Sequence, residues 1–160
     1  MDREERREFV YRHRTCVFGY PRQHDGPAMT VVYYVRDGDD LLISTMAARG
    51  KAHAVRRNPK VSLCVLDEKW PPTYLQVYGN ATLEEDFGQA VDVLRRVIDL
   101  MAGQPMPAAK LPEITRMARA ENRVVIRVRP YATFATPPRH VYKPEDLDTL
   151  THWTSSTMPW

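Results

Sequence analysis

Two short apolar runs rich in β-branched and aromatic residues, 29–35 (MTVVYYV) and 41–45 (LLIST), stand on either side of Asp37-Gly38-Asp39-Asp40. Runs of this kind read as strands, and Gly and Asp between them supply the backbone conformations of a hairpin turn. The same pattern recurs along the chain. Strands are expected at 15–20 and 60–66, with long ones at 73–83 and 123–136. A loop with an Asp25-Gly26 turn covers 21–27, and further loops cover 68–72 and the proline-rich 103–112. Helical spacing is confined to a charged stretch at 2–11, to 46–57, to 84–101 and to a short segment at 113–120. Asn58-Pro59 ends the second of these, because a proline drives the preceding residue out of the α region. Six strands against two substantial helices, with no βαβ alternation, predict an α+β fold that is mainly β. The expected architecture is a six-stranded antiparallel split β-barrel with helices laid outside.

The chain's 160 residues suit one domain with one core, expected over 1–136, followed by a polar tail over 137–160. Hydrophobic residues make up 43% and charged residues 27%, an ordinary globular balance. The formal net charge of +3 is too mild to imply nucleic acid, and no basic stripe with interleaved aromatics is present. Cys16 and Cys64 both lie inside apolar runs and read as buried free thiols, which fits a reducing cytoplasm. The N-terminus has no apolar stretch of the signal-peptide kind. No run approaches the about 20 apolar residues that span a bilayer.

The segment richest in chemistry is 41–65, LLISTMAARGKAHAVRRNPKVSLCV. A strand ending in Ser44-Thr45 is expected to pass directly into a helix that carries Arg49 and Lys51 early and Arg56 and Arg57 late. A helix N-terminus leaves backbone N–H groups unpaired at the positive end of its dipole. Hydroxyls at the entry and cations just inside therefore make a phosphate site. An arginine grips two oxygens in a fork, and a lysine adds a mobile point charge. The same residues also suit a plain N-cap followed by a solvated cationic face.

This segment resembles the pyridoxamine 5′-phosphate oxidase-like split barrels, and is most similar to the actinobacterial flavin/deazaflavin (F-420) oxidoreductases of the B type. The likeness rests on Ser44-Thr45, Arg49-x-Lys51, Asn58-Pro59 and the apolar strand after them, with 29–35 and the YLQVYG run at 74–79 in matching places. It extends over roughly 15–101 and the closing strand. The resemblance implies that Ser44, Thr45, Arg49 and Lys51 hold a cofactor phosphate. It implies that the backbone of Met29, Thr30, Val31 and Val32 runs along the isoalloxazine or deazaflavin ring. It implies a homodimer with the cofactor at the interface, to which Tyr78 or the last strand of the partner contributes. Arg57, with Arg22, Arg56 and Lys60, would meet a longer anionic tail or stand as ordinary surface charge.

The chain also departs from the oxidases. They carry an arginine and a lysine where Met29 and Tyr34 stand here, and their C-terminal tryptophan–arginine signature is absent from RVRPYATFATPPRH. The vitamin-forming oxidation is therefore not the expected activity. The resemblance implies an F-420-dependent oxidoreductase that transfers a hydride to a small unsaturated molecule, with flavin mononucleotide (FMN) as the alternative cofactor. The competing reading is a non-catalytic carrier of F-420, FMN or haem.

No Ser-His-Asp constellation or Gly-x-Ser-x-Gly elbow is present. Tyr34 and Tyr78 are candidate proton donors or simply core and stacking residues. The five histidines form no zinc-binding spacing, so no metal is expected, and His53 on the Arg49–Arg57 helix either touches a phosphate or stands as a solvated surface residue. Arg127 and Arg129 alternate on one strand face, expected to meet solvent or a dimer partner. The tail, with Trp153 and Trp160, would either cover a pocket or hang free.

Overall fold

Aspartate and glutamate at the head of the chain set its first element. Asp2 accepts from the Glu5 N–H at 2.9 Å and Glu5 accepts from the Asp2 N–H at 2.7 Å, a reciprocal capping box that starts α1 (Arg3–Arg12). The computed structural model describes residues 1–69, 73–135 and 157–160. The strands are β1 (Thr15–Tyr20), β2 (Ala28–Tyr33), β3 (Val35–Asp37), β4 (Asp40–Met46), β5 (Lys60–Asp67), β6 (Thr73–Glu84), β7 (Arg123–Phe134) and β8 (Thr157–Pro159). The remaining helices are α2 (Gly50–Arg57), α3 (Phe87–Ala102) and α4 (Leu111–Ala120).

The strands form one antiparallel sheet in the order β2-β1-β5-β6-β7-β4-β3, with β8 paired to β7. The sheet curls, so that β2 at one edge approaches β4 near the other. Inward side chains of alternating strand positions fill the enclosed space, with Phe18, Leu41, Ile43, Leu63, Leu75 and Ile126 fully buried. On the outer face, Ala90, Val93 and Val97 of α3 pack on Leu42 and Val125. Ile114 and Ala118 of α4 close over Leu94. The antiparallel split barrel with external helices is thus the observed class, with eight strands among the described residues rather than six.

The extra strands have clear origins. The run at 29–35 is not one strand, because Tyr34 breaks it. Tyr34 turns its ring into the core and donates its hydroxyl to the Val10 carbonyl at 2.5 Å. Residues before the break pair with β1, as in Thr30↔Phe18, and those after it pair with β4, as in Val35↔Leu42. The hairpin at Gly38 therefore joins only β3 and β4, with Gly38 at φ 60 in the first turn position. The other extra strand is the chain's end. Trp160 is buried, its N–H donates to the Tyr131 carbonyl at 3.1 Å, and its carbonyl accepts from Arg3 Nε at 2.7 Å. The last residues therefore dock on β7 and α1 of their own chain. The rest of the expected tail and the end of the 68–72 loop fall outside the described residues.

Arg127 also departs from expectation. Its side chain is only 14% exposed and so does not lie out in solvent. It donates to Glu84 at 2.7 Å, Asp37 at 2.8 Å and Asp40 at 3.0 Å, tying β7 to β6 and to the β3–β4 hairpin. These carboxylates, Glu84 foremost, raise the guanidinium's pKa. Arg129, two residues on, is 66% exposed. Cys16 and Cys64 are free thiols, Cys16 buried and Cys64 half-buried.

Candidate functional site

The seam where β2 meets β4 holds a cavity of about 440 Å³. β4 delivers Ser44 and Thr45 to it, β2 delivers Thr30, and the turn into α2 delivers Arg49 and Lys51. Helix α2 begins at Gly50, later than the pattern 46–57 suggests. Thr45 and Met46 stay in β4, paired with Val124 and Arg123. Neither hydroxyl of Ser44-Thr45 caps the helix. Its cap position is Arg49, with no side-chain capping bond. The first helical turn thus meets the cavity without a side-chain acceptor of its own.

Two buried atoms mark the cavity as a polar site. The hydroxyl oxygens of Thr30 and Ser44 are buried and have no hydrogen-bond partner among the described residues. A buried hydroxyl without a partner costs about 1–3 kcal/mol, so the pair is arranged for something else to bond. The facing charges are all positive. Arg49 and Lys51 have no ion pair among the described residues, and Arg123 holds only Glu121, at 2.6 Å. Burial, followed by the nearby Arg49 and Arg123 charges, lowers the Lys51 pKa. Two hydroxyls, two arginine forks and a lysine form a donor set suited to a phosphate group.

Arg123 is the member that sequence reasoning missed. It lies far along the chain from Lys51, and only the β4–β7 register brings it beside Met46. Nothing in the local pattern of 121–125 marks it. Of the residues expected from sequence, Thr30, Ser44, Thr45, Arg49 and Lys51 share this cavity. Val32 points into the core. Met29 and Val31 are 70% and 75% exposed on the outer side of β2. Among the described residues that strand pairs with β1 alone, which leaves its other edge unpaired. Tyr78 lies on β6, stacked on Tyr131 with ring centroids 6.5 Å apart, and does not line the cavity.

A second chamber of about 280 Å³ adjoins the first, sharing Tyr20 and Gly50. Arg22, His24, Asp25, His53 and Arg57 line it, with Arg22 paired to Asp25 at 2.7 Å. His53 is exposed, as expected, and lies on the rim of this chamber. Arg56 is held by Glu85 and is not turned to either space. Tyr34, a candidate proton donor, is committed to the core, and burial raises the pKa of its hydroxyl.

An antiparallel split barrel with a cation-and-hydroxyl cavity on its seam defines the class. Residues 2–136 match the family described as pyridoxamine 5′-phosphate oxidase, and the chain belongs to that family. No curated relative matches it. Among solved structures it is similar to the conserved hypothetical protein Rv2991 of Mycobacterium tuberculosis, with a TM-score of 0.75 and 23% identity over 90% of this chain and 89% of that one. It is also similar to a protein described as an F420 reductase, with a TM-score of 0.58 and 24% identity over 79% of this chain and 93% of that one. A third likeness is to HutZ, the heme storage protein of Vibrio cholerae, with a TM-score of 0.57 and 14% identity over 80% of this chain and 89% of that one. These likenesses concern the fold. No described helix is long and apolar enough to cross a membrane.

Proposed function

We propose that this protein is a homodimeric F-420-dependent oxidoreductase that transfers a hydride to a small unsaturated organic substrate. The supporting observation is the pair of unbonded buried hydroxyls, Thr30 and Ser44, facing Arg49, Lys51 and Arg123. They fit the phosphate that F-420 and FMN both carry. The adjoining chamber favours F-420 over FMN. Its Arg57 continues the positive surface beyond the phosphate, where an oligoglutamate tail would extend, while Arg22 is held by Asp25 at 2.7 Å. One solved neighbour is described as an F420 reductase, which agrees with this reading.

F-420, when bound, supplies a two-electron hydride carrier. The protein's part is binding and orientation. Ser44, Thr45 and the three cations would fix the phosphate. The open edge of β2 at Thr30–Val32 would offer backbone N–H and C=O groups to the polar rim of the ring. The outward Met29 and Val31 form an apolar pair beside that edge, suited to a second subunit that excludes water from the ring.

A carrier role is the second reading, favoured by the fact that Tyr34 is committed to the core and Tyr78 does not line the cavity of its own chain. Titration with F-420, FMN and haem, followed by Trp and Tyr fluorescence, tests both. Selective binding of F-420 and oxidation of its reduced form by a screened enone or quinone support the reductase. Binding without turnover supports the carrier. Failure to bind F-420 overturns the proposal.

A further inference from the structure

A second basic cleft shares no residue with the phosphate cavity. It holds about 480 Å³ between the end of α1, the corner at Tyr34–Arg36 and the last turns of α3. Four arginines line it, Arg12, Arg14, Arg36 and Arg96. Val35, Leu100 and the Tyr11 ring supply apolar wall.

The chain's own carboxylates leave most of this charge unmatched. Asp99 is the acid lining the cleft, but its oxygens accept from Arg95 at 2.8 Å and from the Met106 N–H at 2.7 Å. Arg12 lies 3.9 Å from Asp67, which also faces His13 at 3.6 Å. Arg96 lies 3.8 Å from Asp92, which Arg95 holds at 2.9 Å. Arg14 and Arg36 have no ion pair among the described residues.

Instead, the heads are tied to backbone. Arg14 donates to the Leu100 carbonyl at 3.2 Å, Arg36 to the Gly38 carbonyl at 2.7 Å, and Arg96 to the Arg36 carbonyl. The Arg36 head also sits 3.9 Å over the Tyr11 ring. These bonds position the forks without neutralising them. Several like charges held together repel each other unless an anion joins them. Forks fixed in advance lose less freedom when they grip a planar or tetrahedral oxyanion.

We propose that this cleft is a second binding site, for an organic phosphate carrying two or more negative charges. Its oxygens would bridge Arg14, Arg36 and Arg96, and its apolar body would lie on Leu100. The site stands independently of the function proposed above, because the phosphate cavity lies elsewhere on the barrel.

Inorganic pyrophosphate is the probe, titrated calorimetrically at low ionic strength. The double variant Arg49→Gln/Lys51→Gln removes two cations from the seam cavity and leaves this cleft untouched. It is expected to bind one pyrophosphate per chain. Adding Arg14→Gln and Arg96→Gln is expected to weaken that binding at least about tenfold, since each lost fork removes charge-assisted bonds. No binding to the double variant, or equal binding after the second pair of substitutions, overturns the site. Hydrogen exchange on the unmodified chain gives a check that needs no variant. Pyrophosphate is expected to slow exchange at 34–36 and 96–100, and protection confined to 44–51 refutes the proposal.

Discussion

Thr30 on β2 and Ser44 on β4 lie on strands at opposite ends of the sheet order, yet their buried, unbonded hydroxyls line one cavity. Barrel curvature alone brings them together. The pair carries a cost without ligand and a benefit with it. Ser44→Ala is therefore expected to leave the ligand-free protein as stable or more stable by up to about 1 kcal/mol. The same change is expected to weaken phosphate-ligand binding by about 1 kcal/mol. Urea unfolding and a parallel titration read the two effects. A large loss of stability without ligand would show that Ser44 has a structural partner.

Lys51 obeys the same logic in charge. Its pKa is lowered by burial and by Arg49 and Arg123, so the folded protein holds the proton less firmly than the unfolded chain. A group of this kind costs stability while charged, and the cost fades as pH rises through its folded value. A bound phosphate reverses the shift, so binding at alkaline pH takes up a proton. Calorimetry in buffers of different ionisation enthalpy is expected to show that uptake. Lys51→Ala is expected to abolish it and to weaken binding by about 1.5–3 kcal/mol, the scale of a charge-assisted contact. Unchanged affinity in the folded variant would remove Lys51 from the site.

The strands and the amphipathic α3 were legible because period-2 and period-3.6 patterns report which side of an element is buried. Ser44, Thr45, Arg49 and Lys51 were legible because they lie within one short segment. Arg123 and Thr30 reach the cavity through β4–β7 pairing and the β2–β4 seam, and no local pattern encodes either. The break at Tyr34 was hidden for a related reason. Val-Val-Tyr-Tyr-Val has uniform strand propensity, and the tertiary bond from Tyr34 to Val10 decides where the run divides. The role of Arg127 depends on three carboxylates from two other parts of the chain.

That last cluster yields a stability test. Arg127→Met leaves Glu84, Asp37 and Asp40 close together without their shared cation. Removing one partner of a largely buried charge network costs more than the network's net contribution, because the remaining charges stay desolvated. The expected loss is about 1–3 kcal/mol by urea unfolding, with an unchanged denaturant slope. A loss under about 0.5 kcal/mol would place the cluster with ordinary surface pairs.

Gly79 sits at the bulge where β6 pairing with β7 shifts register. A Cβ there would overlap Val128 Cγ1 and press on the Arg129 carbonyl at 3.3 Å. Val128 is fully buried and β-branched, so its side chain has little room to turn away. Gly79→Ala is expected to destabilise by about 1–3 kcal/mol, the usual range for overpacking a filled core. The companion change Val128→Ala makes the needed space. The double variant is expected to be less destabilised than the two single losses summed, and strict additivity would show that the two positions do not touch.

Cys16 sets an alkaline limit on the fold. Burial, with Cys64 nearby, raises its thiol pKa well above the ordinary 9.0. Past that pH the unfolded chain releases the proton and the folded chain keeps it. Stability therefore falls as pH rises, by about 1.4 kcal/mol per pH unit for a single such group. Tyr34, raised in the same direction by burial, adds its own slope above its ordinary 10.0. Cys16→Ala is expected to reduce the slope between those two values, Cys64 keeping part of it, while leaving the neutral-pH structure intact. The same shift suppresses the reactive thiolate, and burial raises the Cys64 pKa as well. Iodoacetamide at pH 8 is expected to modify both cysteines slowly in the native protein and rapidly after unfolding. Fast native labelling of Cys16 would mean that the strand pairing around it opens far more often than a core residue allows.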